Sequence, residues 1–343
     1  MDVLVTGGLG YIGSHTVVAL AEAGHSPIIV DNLCNSQAWI HTRLEELAGQ
    51  AIPFYQVDCT DRLALAQVFA QHPNVQAVVH FAALKAVGES TRHPLEYYQN
   101  NLGSLLAVLL AMQQQHVGIL VFSSSATVYG EPEKLPVTEA TPLQTPTSPY
   151  GTTKAIAERI IADAVQANPQ LRAMALRYFN PVGAHPSARI GELPQGTPNN
   201  LVPYMTQATR GVVPELKIFG HDYATPDGTP LRDYFHVVDL ACAHVLAIDY
   251  LAKAHKGLPL QFINVGAGTP VSVLQVVETF RQATGQPLPY RFAPRRDGDV
   301  EAIWCDATLA KNLLGWQPEF TLADALLHAW KWEQTLGEQD LPA

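Results

Sequence analysis

Apolar residues recur along the first half of the chain in two alternating rhythms. Short runs such as Asp2-Val3-Leu4-Val5 and Pro27-Ile28-Ile29-Val30 read as strands, whereas Ile12, Val17 and Leu20 recur at helical spacing between Tyr11 and Ala23 and stop at Gly24. Further strands are predicted over 54–57, 75–81, 118–123 and 171–178, separated by helical patterns over 62–72, 95–116 and 150–168. Strands that alternate with helices predict an α/β fold, a doubly wound parallel sheet with helices on both faces. After Asn180 the rhythm gives way to the Pro/Gly-rich stretches Pro181 to Pro186 and Pro194 to Pro203, which puts a domain boundary at 180/181. The second part, 181–343, is expected to be a smaller, loop-rich α/β domain with a strand over 262–266, a helix over 272–284 and a closing amphipathic helix over 322–336. No internal repeat or low-complexity tract interrupts this plan.

The composition narrows the class of protein. At 343 residues the chain can build either two domains or one large α/β domain with a cap. Its 21 Lys and Arg against 31 Asp and Glu leave a formal charge of −10, which argues against broad binding to nucleic acid or anionic membranes. Any anionic ligand must then be held by local cations. Cys34, Cys59, Cys242 and Cys305 are scattered without a Cys-x-x-Cys pair, so neither a disulfide framework nor a zinc knuckle is indicated, and a cytoplasmic setting fits. The longest apolar stretch, Leu102 to Met112, is broken by Gly103 and Ser104, is too short to span a bilayer, and reads as a buried helix.

The first strand runs into Thr6-Gly7-Gly8-Leu9-Gly10-Tyr11-Ile12-Gly13 and then into a helix. In that strand–turn–helix setting Gly7 permits the tight turn, Gly10 lets the backbone approach a pyrophosphate, and Gly13 lets helix and strand pack closely. The free N–H groups of the helix start face the phosphates. The second strand ends in Asp31, whose carboxylate can accept from both adenosine ribose hydroxyls and would repel a 2′-phosphate. These residues predict a Rossmann-type domain over 1–180 that binds NAD rather than NADP.

Tyr150-Gly151-Thr152-Thr153-Lys154 stands at the head of a helix, so Tyr150 and Lys154, four apart, share one face. Bringing a phenol from a pKa of about 10 to near 7 needs roughly 4 kcal/mol of preference for the phenolate. A lysine ammonium and a nicotinamide cation close by are expected to supply it. Upstream, Ser123-Ser124-Ser125 ends a strand, where ligands of open α/β sheets bind and where serine hydroxyls can donate to a substrate oxygen. The 13 histidines show no ligand spacing, and no catalytic metal is expected.

With these motifs the chain resembles the UDP-glucose 4-epimerase family of extended short-chain dehydrogenases/reductases. The resemblance rests on the glycine loop, on Asp31-Asn32-Leu33-x-Asn35-Ser36, on His80-Phe81-Ala82-x-x-Lys85-Ala86-Val87-Gly88-Glu89-Ser90 and on Ser123-Ser124-Ser125-Ala126-Thr127-Val128-Tyr129-Gly130. It continues through Arg177-Tyr178-Phe179-Asn180-Pro181-Val182-Gly183-Ala184, Pro198-Asn199-Asn200-Leu201, Arg232-Asp233-Tyr234 and Arg295-Arg296-Asp297-Gly298-Asp299, and so covers nearly the whole chain. The resemblance implies that Tyr150 removes the proton from the sugar 4-hydroxyl while hydride passes from carbon 4 to tightly held NAD⁺. The 4-keto sugar then turns over and takes the hydride back on its other face, interconverting UDP-galactose and UDP-glucose. Ser125 would hydrogen-bond the 4-oxygen, and Lys154 would hold the nicotinamide ribose and depress the Tyr150 pKa. By the same resemblance Tyr11, Ile12, Asp31, Asn32, Leu33, Cys34, Asn35, Ser36, Asp58, Cys59, Phe81, Ala82, Ala83, Leu84, Lys85, Asn100 and Phe179 would surround NAD. Asn180, Asn200, Leu201, Lys217, Ile218, Phe219, Arg232, Arg296 and Asp299 would hold the UDP-sugar, with Lys85 beside it. Arginine suits that task because its fork of donors matches a diphosphate. Arg296 could instead be a solvated charge beside Arg295, and Asp58 a helix N-cap ahead of Arg62.

Where the family gates the sugar 2-substituent this chain has Ile303, intermediate in size, which implies a preference for UDP-glucose and UDP-galactose with weak or no action on N-acetylated sugars. A nucleotide-sugar 4,6-dehydratase would resemble a family with Asp-Glu at the places of Ala126 and Thr127, and neither of these can serve as its acid or base. A non-catalytic NAD sensor has no use for Ser125, Tyr150 and Lys154 together. The resemblance further implies a homodimer through a helix bundle, with 95–116 and 150–168 as candidate helices whose apolar faces could equally pack on the sheet.

Overall fold

A computed structural model describes residues 1–196, 198–253, 258–296, 299–337 and 340. The first half alternates as expected: β1 (Asp2–Thr6), α1 (Tyr11–Glu22), β2 (Ser26–Asp31), α2 (Trp39–Ala48), β3 (Phe54–Gln56), α3 (Arg62–Gln71), β4 (Val75–His80), α4 (Val87–Arg92), α5 (Pro94–Gln114), β5 (Ile119–Ser125), α6 (Pro149–Ala167) and β6 (Arg172–Tyr178). The rest of the chain adds β7 (Asn180–Val182), α7 (Leu201–Arg210), β8 (Leu216–Phe219), β9 (Leu231–His236), α8 (Val237–Lys253), β10 (Leu260–Val265), β11 (Pro270–Ser272), α9 (Val273–Thr284), β12 (Tyr290–Ala293), β13 (Ala302–Ile303), α10 (Thr308–Leu314) and α11 (Leu322–Thr335).

Among the described residues the main sheet has seven strands in the order β10-β6-β5-β4-β1-β2-β3. All of its pairings are parallel. The strands are apolar on both faces because both faces are covered. Val3, Val5 and Ile29 join one core beneath α1 and α8, while Leu4, Ile28 and Val30 join another beneath α3, α5 and α6. The strand order reverses between β1 and β4, the place where such sheets bind ligands.

The expected boundary at 180/181 is crossed by the chain. Residues of α8 pack on α1, and β10 pairs with β6 to extend the first sheet, because its apolar Ile263 and Val265 bury on that sheet rather than in the second lobe. The remaining elements after Asn180 build a smaller lobe on β11-β9-β13, with β7 beside β9, and on the β8–β12 pair. Its core is formed by α7, α9 and α11, with Met205, Val276, Phe280 and Leu326 buried. It is therefore more helical than its Pro/Gly content suggests. The expectation of a buried helix around Leu102 to Met112 also needs correction: α5 buries Leu105, Val108 and Met112 but leaves Leu106 38% and Leu110 40% exposed.

Four histidines give this fold an acid-sensitive stability. Burial holds His15, His80 and His236 down to about 3 and His244 to about 4. Each binds a proton more weakly when folded, so the unfolded chain takes up more protons once the pH falls below about 6.5, the ordinary histidine value. Stability is then lost as pH drops from there towards the folded values, at roughly 1.4 kcal/mol per histidine per pH unit. Asp239, pushed up by burial to about 6, acts in the opposite sense, as do Asp233 and Glu139, but His25, His185 and His328, also lowered by burial, add to the four histidines. Calorimetry should find a markedly lower unfolding temperature at pH 5 than at pH 7.5, and equal temperatures would contradict the burial of these rings.

Candidate active site

A cleft of about 1310 Å³ opens over the carboxyl ends of the strands of the first sheet and is closed on its far side by the second lobe. Apart from Leu33, every residue singled out above for cofactor, substrate or catalysis lines it. Leu33 faces the core instead; its backbone takes a positive φ of 63° and its N–H donates to Asp31 Oδ1 at 2.9 Å. Asp297 and Gly298 of the arginine motif lie outside the described residues.

At one end of the cleft the glycine loop leads into α1. A side chain at Gly13 would put its Cβ 2.1 Å from the Gly7 carbonyl oxygen, and one at Gly7, where φ is +69°, would meet the Ala82 N at 2.9 Å. Only bare backbone closes this turn. No side chain caps α1 at Gly10 and no acidic residue sits in its first turn, so the helix start is a ready cradle for pyrophosphate. Tyr11 Oη donates to the Gly183 carbonyl at 2.7 Å and ties this helix to the second lobe.

Asp31, 7% exposed, accepts from Leu9 N at 3.0 Å and from Ser36 Oγ at 2.8 Å, so it shapes the loops around the ribose position. With the Leu33 N–H that makes three donors, and a carboxylate has about four acceptor positions, which leaves one for a ribose hydroxyl. Asp58 accepts from Asn32 Nδ2 at 3.0 Å and from Thr60 N at 2.8 Å. It does not cap α3. Asp61 does, accepting from Leu63 N and Ala64 N at 3.0 Å each. Asn101, beside Asn100, holds the Leu84 backbone, accepting from its N–H at 2.8 Å and donating to its carbonyl at 3.0 Å.

In the middle of the cleft α6 meets the end of β5. Ser148 caps the helix by accepting from Gly151 N at 3.2 Å, and Pro149 occupies its first turn, which aims Tyr150 and Lys154 at Ser123 and Ser125. Lys154, 4% exposed, donates to the Ser123 carbonyl at 2.6 Å, and its ammonium lies 5.9 Å from the centre of the Tyr150 ring. Burial lowers Lys154 to about 7, against the upward pull of Glu158. The expected depression of Tyr150 is not produced by the protein's own groups. Burial pushes its phenol up to about 12, with only its hydrogen bond to Ser125 acting the other way. Ser125 also accepts from Thr127 N at 3.2 Å at the start of a short 3₁₀ turn over Ala126–Tyr129.

The far end carries the cations that a net-acidic protein needs for a diphosphate. Arg296 lies 4.0 Å over the Phe219 ring and donates to the Asn199 carbonyl at 3.3 Å, so it is held rather than loosely solvated. Its neighbour Arg295 also reaches the cleft but pairs with Asp222 at 2.8 Å. Arg232 pairs with Asp299 and donates to the Val300 carbonyl at 2.6 Å. Asn200 Nδ2 donates to Glu192 at 2.6 Å, and Lys85 reaches the same carboxylate at 3.5 Å. Ile303 is 8% exposed in β13 beside Arg232.

Several lining residues escaped the sequence reading, among them Tyr178, Glu192, Tyr204 and Tyr234. Tyr178 ends β6, so the strand-end rule that found Ser125 could have found it too; its hydroxyl is bonded to Ser123 Oγ. Glu192 lies in a stretch without periodicity, and nothing local signals it.

A glycine cradle, an acidic strand end and a tyrosine–lysine face in one cleft define an enzyme that works on a ligand beside a bound dinucleotide. The chain belongs to the NAD dependent epimerase/dehydratase family, whose model matches residues 3–266. It is 52% identical over 334 residues to a UDP-glucose 4-epimerase of Yersinia pestis, covering 97% of each chain. Two solved structures superpose closely. The UDP-glucose 4-epimerase of Stenotrophomonas maltophila, with bound NAD and formylated UDP-arabinopyranose, has a TM-score of 0.93 at 47% identity and covers 97% of this chain and 98% of its own. The Bifidobacterium longum enzyme, in complex with NAD⁺ and UDP, has a TM-score of 0.94 at 44% identity with 99% of both chains covered. Within the family the chain stands with the UDP-glucose 4-epimerases, isomerases that depend on NAD.

Proposed function

We propose that the protein interconverts UDP-galactose and UDP-glucose through a 4-keto sugar. NAD, held in the glycine cradle, supplies the hydride acceptor, the hydride donor for the return step and a positive charge beside Tyr150. The observation that carries this reading is the single cleft that joins an NAD cradle, the Tyr150–Lys154 face and an arginine-lined end.

Tyr150 takes the proton of the 4-hydroxyl and returns it to the 4-oxygen of the turned-over keto sugar. Ser125 donates to the 4-oxygen, and Lys154, anchored on the Ser123 carbonyl, directs its remaining N–H groups at the ribose. Gly7, Gly10, Tyr11, Ile12, Gly13, Asp31, Asn32, Asp58 and Phe81 through Lys85 hold the dinucleotide. Arg232, Arg296, Asn200 and Lys217 through Phe219 hold the UDP moiety, with Ile303 near the sugar 2-position favouring unsubstituted sugars. The NAD lobe is thus the 1–180 unit together with α8 and β10, and the UDP-sugar is held by the remaining segments after 180.

The exposed Leu95, Leu106 and Leu110 of α5 and Ile156 of α6 form an apolar face suited to a second copy of the chain, and we place the enzyme as a homodimer of the cytoplasm acting in galactose metabolism. The reading is tested by whether the purified protein converts UDP-galactose with no NAD added.

A further inference from the structure

Tyr150 and Lys154 have a third companion on the same face of α6. Glu158 lies one turn beyond Lys154 and is 3% exposed. Its carboxylate accepts from Ser124 Oγ at 2.6 Å, from Arg177 Nε at 2.8 Å and from Arg177 Nη2 at 2.6 Å. Ser124 is the middle residue of the serine run, and strand alternation turns it away from the direction of Ser123 and Ser125, towards α6. Arg177 lies between the rings of Tyr129, at 5.1 Å, and Phe262, at 4.7 Å. It donates to Tyr129 Oη at 3.1 Å, and that hydroxyl donates to Asn264 Oδ1 at 2.7 Å. The network fastens α6 to β5, β6 and β10 directly behind the catalytic pair. None of its members is needed to touch substrate or cofactor.

Taking Tyr150 and Lys154 as the catalytic pair, we propose that Glu158 is a positioning residue that, braced by Ser124 and Arg177, sets the height of α6 against β5 and keeps the Lys154 ammonium charged for Tyr150. A fully buried ion pair is a costly way to join a helix to a sheet, since apolar residues of similar volume would do so at least as well. Its placement one turn from a buried lysine gives the carboxylate a task that apolar packing cannot perform. The other groups facing Lys154 do not substitute for it. From β5 come the Ser123 carbonyl and the Phe122 ring, at 4.8 Å. From β4 comes His80, kept neutral by burial. Tyr178 and Tyr97, phenols whose pKa burial raises, interact with Tyr150 instead, and Glu89 is engaged by the Tyr97 hydroxyl at 2.7 Å. Glu158 is the carboxylate that opposes the loss of charge burial imposes on Lys154.

The test compares kcat and KM for UDP-galactose across pH for wild type, Glu158→Gln, and the double variant Glu158→Gln/Arg177→Met, which removes the guanidinium that the single variant would leave without its carboxylate. Glu158→Gln should lower kcat about tenfold at pH 8 while KM stays within about twofold, with the alkaline limb of the kcat profile beginning about one pH unit lower. The double variant should regain thermal stability yet keep the displaced limb. A kcat loss equal at every pH, or a double variant with the wild-type profile, would overturn the role of Glu158 and leave it a structural brace. An inactive wild type would instead overturn the assignment of the catalytic pair on which the proposal rests.

Discussion

Tyr150→Phe is expected to lower kcat by a factor of about 10² to 10⁴, the ordinary worth of a positioned general base, while the protein stays folded and keeps its NAD. The substitution removes one hydroxyl and leaves the ring, the helix cap at Ser148 and the Lys154 anchor on Ser123 in place. The size of the effect follows from how the site sets its acidity. Burial, opposed only by the hydrogen bond to Ser125, holds the phenol near 12, so it stays protonated and cannot act as a base at neutral pH. On the proposed mechanism the cofactor's positive charge, with the Lys154 ammonium, brings it down, so the base is complete once NAD is in place. Steady-state rates with UDP-galactose, set beside the NAD released on denaturing each protein, separate chemistry from binding. Unchanged turnover would remove Tyr150 from the mechanism.

Gly13→Ala should act at the other end of the cleft and through binding. The new Cβ would meet the Gly7 carbonyl oxygen at 2.1 Å and the Gly7 C and Gly8 Cα at 3.0 Å. These are backbone atoms of a turn already pressed against Ala82, so the helix start must move, and with it the N–H groups aimed at the pyrophosphate. A displacement of about 1 Å in such a cradle is enough to cost roughly 100-fold in activity. The variant is expected to emerge from purification without NAD and with at least that loss. Gly103→Ala, inside α5 where the nearest neighbour would be the Thr60 methyl at 3.8 Å, is the control and should retain both cofactor and rate. Equal NAD content in the two variants would contradict the glycine cradle.

The parts of this molecule that were legible in its sequence are those where local pattern and function coincide. The parallel sheet could be read because its strands, buried on both faces, are continuous apolar runs separated by helical spacing. The glycine loop, Asp31, Ser125 and Tyr150 could be read because each sits where a strand ends or a helix begins. Three helices, one of them in the second lobe, were harder. Trp39–Ala48, Leu201–Arg210 and Val237–Lys253 are helices lodged among Pro, Gly and polar residues, and their apolar faces make sense only once α1, the sheet and α11 are there to receive them. That β10 returns to the first sheet is likewise a matter of long-range pairing, which periodicity does not encode. The depth of burial that raises the Tyr150 phenol could not be read from the sequence, because burial is a tertiary property. Glu158 was passed over for a related reason: on a helical wheel it is one more polar residue, and its partners Ser124 and Arg177 come from two separate strands.

The central claim is that one resident NAD serves both halves of an epimerisation. It is tested most directly by incubating the purified protein with UDP-galactose, without added NAD, and separating the products by chromatography. Formation of UDP-glucose with no net change in cofactor oxidation state is the expected result. Absence of UDP-glucose, both without NAD and after NAD is supplied, would contradict it.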